Sequence, residues 1–594
     1  MSELNRRKHG EETVDFLGGE KNKQAEAYQP NDVALSEDIE GAEVPPQFSA
    51  VRAKHNTNKS EYDEAVRTES SAERNPARSA DGSQRKSVRN SQQKSARNAQ
   101  QNASRNAQQS SGSGVWNVKL LIVLAVAVIV AVVIIISGIG AIMKGKGNTA
   151  GANTTGGKPG IEQGKTASED ASGELEEDPA EGSDIIEVDA LSEAKLLAAQ
   201  YDYDAAIELL KNTEDFGENN EAQAAVKEYE EIKSTLVEQN IYEIPHIFFH
   251  ILCVDPKNSF NESKWGKQAG GYNALMTTVD EFKKMMNELY DKGYVLVSIR
   301  DIAREERSED GTVKMKAQSI MLPPGKKAFV MSEDDVCYYE YMKGAGFADR
   351  IIIGDDGRPT THYTDGDSNE HVGEYDIVPV LDSFIDEHPD FSYKGHKACL
   401  VFTGYNGILG YRTDESYDPS SEYYDSKLEQ GHDVEAERKK AVEVLKALHE
   451  DGYDLGSHSW GHRDLGEIDM ERFKKDCDRW NRNVAPLIKE ATGAQPDIII
   501  FPRGADIGDW HPYTSDNARF NYMHRLGFRY FCNVDNNKYW VQIGDTYMRQ
   551  GRRALDGYNM WLQISGQNSR LSDLFDDVPA IFDKARPTPV PSYF

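Results

Sequence analysis

From about residue 241 onward, short apolar runs alternate with stretches whose apolar residues recur every three or four positions. A chain patterned this way lays down strand, helix, strand, helix, and the crossover helices force the strands to run parallel, buried on both faces. The strand-like runs are 247–254, 294–299, 327–332, 398–403, 453–457 and 497–501; the helical ones are 279–292, 378–387, 435–451 and 470–491. The expected class is therefore α/β, as a barrel or an open sheet. The polar stretches 354–374 and 412–433, rich in Asp, Ser, Tyr and Gly, read as insertions in it.

At 594 residues the chain exceeds the size of one ordinary core. Residues 1–114 are poor in apolar clusters, which predicts a disordered tail. Within it Arg-Asn-Ser/Ala-Gln-Gln recurs from Arg89, Arg97 and Arg105. Residues 120–143 are apolar except for Ser137, Gly138 and Gly140, long enough to cross a hydrocarbon core of ~30 Å. A transmembrane helix is thus expected within 115–143, and its position after a long polar segment marks an anchor rather than a cleaved signal. Between Gly82 and Lys119 there are Lys and Arg but no acid, whereas the far flank turns acidic from Glu169. That bias predicts a single-pass protein of the cell membrane with a cytoplasmic N terminus and an external C terminus. Residues 144–189 read as a flexible external linker and 190–240 as a helical spacer resembling one tetratricopeptide hairpin. The main domain then covers 241–575 and a tail 576–594.

The net charge of −31 lies beyond the span: residues 1–114 hold 17 basic and 17 acidic side chains, and residues 144–594 hold 50 and 82. Such a surface repels phosphate backbones, so nucleic acid is excluded as a partner. The five cysteines show no C-x-x-C spacing and read as small buried hydrophobes.

Three strand ends carry chemistry. Lys327-Ala-Phe-Val-Met-Ser-Glu-Asp-Asp335 is an apolar strand running into acids, placed where barrel enzymes mount catalytic groups. Tyr453-Asp-Leu-Gly-Ser-His458-Ser-Trp-Gly-His462 ends a strand in two imidazoles at i and i+4, a spacing that lets both share one face of a helical turn and meet one cation. Asp497-Ile-Ile-Ile-Phe501-Pro502-Arg503-Gly504 ends in a tight turn able to present backbone N–H groups to developing negative charge. Taken singly, each is as well read as a solvated turn, a pair of surface histidines or an ordinary strand exit.

In this order the three resemble the motifs of the polysaccharide deacetylases of carbohydrate esterase family 4, over roughly 244–562. Pro245-His-Ile-Phe-Phe-His250 resembles that family's first strand. The resemblance implies a distorted (β/α) barrel, Asp334 as general base, and Asp335, His458 and His462 around a divalent metal, zinc foremost, with Co, Ni, Fe or Mn also suited to such ligands. It implies the backbone N–H of Arg503 as an oxyanion donor, and as substrate a polysaccharide or peptidoglycan that loses acetyl groups.

This chain also departs from the family pattern. Glu333 stands where a Phe is usual and Val336 where a Gly is, and Arg503 takes the place of a Tyr. The arginine expected near Ile500 is absent, and Asp535 matches the fourth-motif acid only loosely. The late Leu-x-His that supplies the general acid has no counterpart, since the last histidine is His524. The proton donor is then Asp334 used twice, another acid such as Asp556, or none. Three functions stay open: an N-deacetylase, a polysaccharide O-acetyl esterase, and a catalytically silent glycan-binding scaffold.

Overall fold

The computed structural model describes residues 189–535 and 537–592. The tail, the span and all but the last residue of the linker, predicted at 1–114, 115–143 and 144–189, lie outside them. Among the described residues no helix is long and apolar enough to cross a membrane.

Seven parallel strands close a ring in chain order: β1 (His246–His250), β2 (Lys327–Asp334), β3 (Cys399–Phe402), β4 (Asp454–Ser457), β5 (Ile498–Ile500), β6 (Tyr530–Val534) and β7 (Met548–Ala554). The ring shuts where β7 pairs with β1, Arg552 opposite His246, and β1 with β2, His250 opposite Asp334. It is distorted at the seam of β4 and β5, held by the single register pair Ser457 and Ile499. Helices α4 (Val279–Asp291), α5 (Ile377–Glu387), α6 (Val434–Glu450), α7 (Met470–Asn483), α8 (Ala485–Thr492), α9 (Ala518–Leu526) and α10 (Gly557–Ile564) accompany it. This is a distorted (β/α) barrel, as the resemblance implied and as one of the two forms the alternation left open.

The two-residue period of the strands sorts the core into two clusters. Val330, Val401, Ile498, Ile500, Cys532 and Met548 belong to one, and Phe329, Met331, Leu400, Leu455, Ile499 and Phe531 to the other, where they meet Phe282, Leu289, Leu448 and Trp480 of the helices. All five cysteines are buried thiols.

Several expectations need correction. Tyr294–Leu296 pairs with the first residues of β2, Lys327–Phe329, and bridges Ser392 from Leu296, but is not one of the seven ring strands. The helix expected over 470–491 is two helices, because Pro486 has no N–H for the carbonyl of Arg482 and the chain turns at Val484. The insertion 354–374 is ordered into an antiparallel sheet of Arg350–Ile353, Pro359–Thr364 and Glu370–Gly373. The spacer is three helices, α1 (Ala190–Ala199), α2 (Tyr203–Lys211) and α3 (Asn220–Lys233), each capped by an Asp or Asn side chain. It is docked: Ala194, Ala198, Ala206 and Leu210 share a cluster with Ala328, Ile498, Tyr530 and Met548, residues near the strands' starts. Lys394 N donates to Gln200 O (2.7 Å) and the Tyr201 hydroxyl to Asp390 O (2.7 Å). The C-terminal segment is packed at Arg586, which is buried against Glu281 at 2.6 Å.

Candidate active site

Strand β2 is buried from Ala328 to Asp334, so its last carboxylate is carried into the barrel mouth rather than into solvent. Asp334 is 3 % exposed. Arg552 of β7 grips it with two parallel hydrogen bonds, Nη1 to Oδ1 at 2.8 Å and Nη2 to Oδ2 at 3.0 Å. Burial alone raises the Asp334 carboxyl, but the Arg552 guanidinium, then His458, outweigh it and hold the group below its ordinary value. Position 500 holds Ile500 rather than an arginine, and the guanidinium beside Asp334 comes from β7. Arg552 lies over the Phe248 ring at 4.0 Å and donates to Ser332 Oγ (3.2 Å), which bonds His246 Nε2 (2.9 Å). The sequence held a trace of it: Met548, Gln550 and Arg552 are alternate residues of one strand, pointing to one side.

Asp335 follows in the left-handed region (φ 59°), which turns its carboxylate away from that of Asp334. Its Oδ1 accepts from the hydroxyls of Tyr339 and Thr403, both at 2.6 Å. Burial opposes its charge, yet His462, His458 and His250 hold the carboxyl well below the usual range. Glu333, on the other side of the pair, is fully buried. Burial and then Asp376 push its carboxyl well above normal.

His458 emerges directly from β4. Its Nδ1 bonds the carbonyl of Ile500 at 2.9 Å, which fixes the proton there and leaves Nε2 as a lone pair facing the mouth. The segment to His462 is a loop, not the helical turn expected from the spacing, because Ser459 and His462 are left-handed (φ 63° and 50°). The rings still converge, with centroids 5.0 Å apart. Ligand atoms of Asp335, His458 and His462 all lie within 4.8 Å of one another. His462 Nε2 is 3.6 Å from Asp335 Oδ2, and His458 Nε2 is 4.0 Å from Asp334 Oδ2. Burial, partly offset by Asp335, lowers His462 to about 4, so it is neutral at pH 7.

Arg503 completes the predicted set at the end of β5, left-handed at φ 58° and half-buried, with its charge acting on His462. Asp556, a sequence candidate for the proton donor, is instead the N-cap of α10: its Oδ1 accepts from Asn559 N (2.7 Å) and Nδ2 (2.9 Å). Burial raises it to about 6. Asp535 ends β6, its N–H on Arg552 O at 3.1 Å. The residue not singled out from sequence is His250. It closes β1 in register with Asp334, is half-buried, and its charge acts on Asp334, Asp335, His462 and Asp556.

Residues 428–531, which include α6, β4, the histidine loop, α7, α8 and β5, match the family model described as "Polysaccharide deacetylase". The chain carries a polysaccharide deacetylase domain. A 30.6 kDa uncharacterized protein from the fumA 3' region of Geobacillus stearothermophilus is 31% identical over 64 residues of the domain's chain, 11% of this chain and 23% of its own length. The chain therefore aligns with less than a quarter of that relative. Among solved structures, the Streptococcus pyogenes deacetylase PplD in complex with acetate aligns at 13% identity and TM-score 0.28, over 55% of this chain and 95% of its own. IcaB from Ammonifex degensii aligns at 12% and 0.26 over 55% and 97%, and the BpsB deacetylase domain from Bordetella bronchiseptica at 12% and 0.26 over 54% and 98%.

Proposed function

We propose that the protein is a metal-dependent deacetylase that hydrolyses acetyl groups, foremost the N-acetyl of N-acetylglucosamine-type residues, from a cell-wall or exported polysaccharide or peptidoglycan. The observation that carries this is the meeting of two imidazoles and one carboxylate beside a second, arginine-held carboxylate.

The residues fit a divalent cation. Tetrahedral ligands each ~2.0–2.1 Å from zinc stand roughly 3.3 Å apart, close to the 3.6 Å between His462 and Asp335. His458 Nε2 is free to ligate because Nδ1 holds the proton. Asp335, His458 and His462 would hold the ion, with zinc first among Zn, Co, Ni, Fe and Mn. Bound there, it supplies Lewis acidity that acidifies water and polarises an acetyl carbonyl.

The protein's own groups do the rest. Asp334 stays ionised because Arg552 pairs with it, and it takes the proton of the attacking water. Two of its lone pairs engage Arg552, and the others remain for that water. The backbone N–H of Arg503 faces the oxyanion as the carbonyl becomes tetrahedral. His250 hands a proton to the departing amine, with the Asp556 carboxyl beside it, which fills the role left open by the missing late histidine. The span at 120–143 holds the domain outside the cell membrane with the N terminus cytoplasmic; protease added to intact cells should then cleave beyond residue 143 and spare residues 1–114.

The test is acetate release by the full chain in detergent from N-acetylated and O-acetylated glycans. Release should stop on chelation and fall ~10²–10⁴-fold in Asp334→Asn. A zinc-loaded protein that binds these glycans but releases no acetate from any would sink the reading in favour of a silent binder, and preference for O-acetyl polymers would make it an esterase.

A further inference from the structure

We infer that Asp476 and Arg479, on one face of α7, are positioning residues that set the cation affinity of the site by holding the His458–His462 loop in its ligating shape. This rests on the reading that Asp335, His458 and His462 take up a cation.

The loop is costly to hold. Ser459 and His462 occupy the left-handed region (φ 63° and 50°), which non-glycine residues keep only when their surroundings over-determine it. Those surroundings come chiefly from α7. The Asp476 carboxylate, 3 % exposed, accepts the backbone N–H of Trp460 at 3.0 Å and of Gly461 at 2.8 Å, so one charged group pins two consecutive peptides between the histidines. One helical turn on, Arg479 lies flat on the Trp460 indole, its guanidinium carbon 3.6 Å from the ring centroid. Its Nη2 donates to Asp414 Oδ1 at 3.3 Å, and the other oxygen of Asp414 accepts the indole Nε1 at 2.8 Å. The indole is closed in from its remaining side by Gly404, where an added Cβ would stand 2.5 Å from Cδ1. Backbone bonds from Gly404 N to Ser459 O (3.1 Å) and Tyr405 N to Trp460 O (2.8 Å) complete the clamp.

Asp476 and Arg479 act through Trp460 and Gly461, so they govern how often the empty site has its imidazoles in place. Apparent affinity scales with that fraction. Asp476→Asn keeps the shape but turns an amide NH₂ toward one backbone N–H. It should weaken zinc binding by the ~10–100-fold typical of lost outer-shell support.

Zinc affinity of the full chain in detergent, measured by competition with a chromophoric chelator, tests this. The variant should bind zinc ~10–100-fold more weakly, and raised zinc should restore its kcat toward wild type. A purely structural role predicts a lowered unfolding temperature with unchanged zinc affinity, and that result in a folded Asp476→Asn overturns the proposal. Should Asp476→Asn not fold, Arg479→Lys decides: weaker zinc binding in the folded protein supports the clamp, and unchanged binding overturns it. If wild type takes up no zinc, it is the assignment of the site itself that falls.

Discussion

Replacing Arg552 by Met should destabilise the protein in a way that depends on pH, and the size can be worked out. The pair is sealed from water, with side-chain exposures of 0% for Arg552 and 4% for Asp334, so the substitution leaves a buried carboxylate with no guanidinium beside it. Breaking a buried pair from one side costs ~3–5 kcal/mol. The charge part has a ceiling, because the carboxyl can escape by taking a proton. From an unfolded pKa of about 3.9, protonation at pH 7 costs about 4 kcal/mol, and at pH 5 about 1.5 kcal/mol. In wild type Asp334 lies below its ordinary value, so its contribution is present at neutral pH and lost as pH falls. In Arg552→Met the largest effect opposing burial is gone and the folded pKa rises above the unfolded one, so the variant regains ground as pH falls. Urea unfolding of the metal-free protein at pH 7 and pH 5 should therefore show a deficit of ~3–5 kcal/mol that shrinks at pH 5. Adding Asp334→Asn should recover much of it, since no uncompensated charge then remains. A deficit under about 1 kcal/mol at pH 7, or one equal at both pH values, refutes the reasoning.

Two further outcomes follow from the geometry. His250→Gln should cut acetate release from N-acetylated glycans by ~10²–10⁴-fold while largely sparing p-nitrophenyl acetate, whose phenolate departs without a proton; equal losses on both substrates would remove His250 from the donor role. Arg586→Met should cost ~3–5 kcal/mol in urea unfolding, because the Glu281 and Arg586 side chains are both 0% exposed, and a loss under about 1 kcal/mol would show that this pair does not fasten the C-terminal segment.

What was legible in the sequence was what depends on local pattern. Ile498, Ile499 and Ile500 read as a strand buried on both faces and are one, two facing one core cluster and the third the other. The acids after β2 and the histidines after β4 were found because each sits where its own strand ends. What stayed hidden depends on which strands become neighbours. Arg552 is one of three arginines in Met548–Ala554, and only the closure of β7 on β1 and β1 on β2 brings it to Asp334. His250 was quoted as part of a first-strand resemblance, yet its register with Asp334 is a property of the closed ring. The loop error has the same root: i, i+4 spacing suggests a helical turn, but Asp476, Asp414 and Gly404 hold Trp460 in a left-handed loop, and none of the three is near it in sequence. The guanidinium beside Asp334 comes from β7, two strands round the barrel from the motif that ends β5. A closed parallel ring aims every strand end at one mouth, so the guanidinium can be mounted on more than one strand while the carboxylate it holds stays on β2.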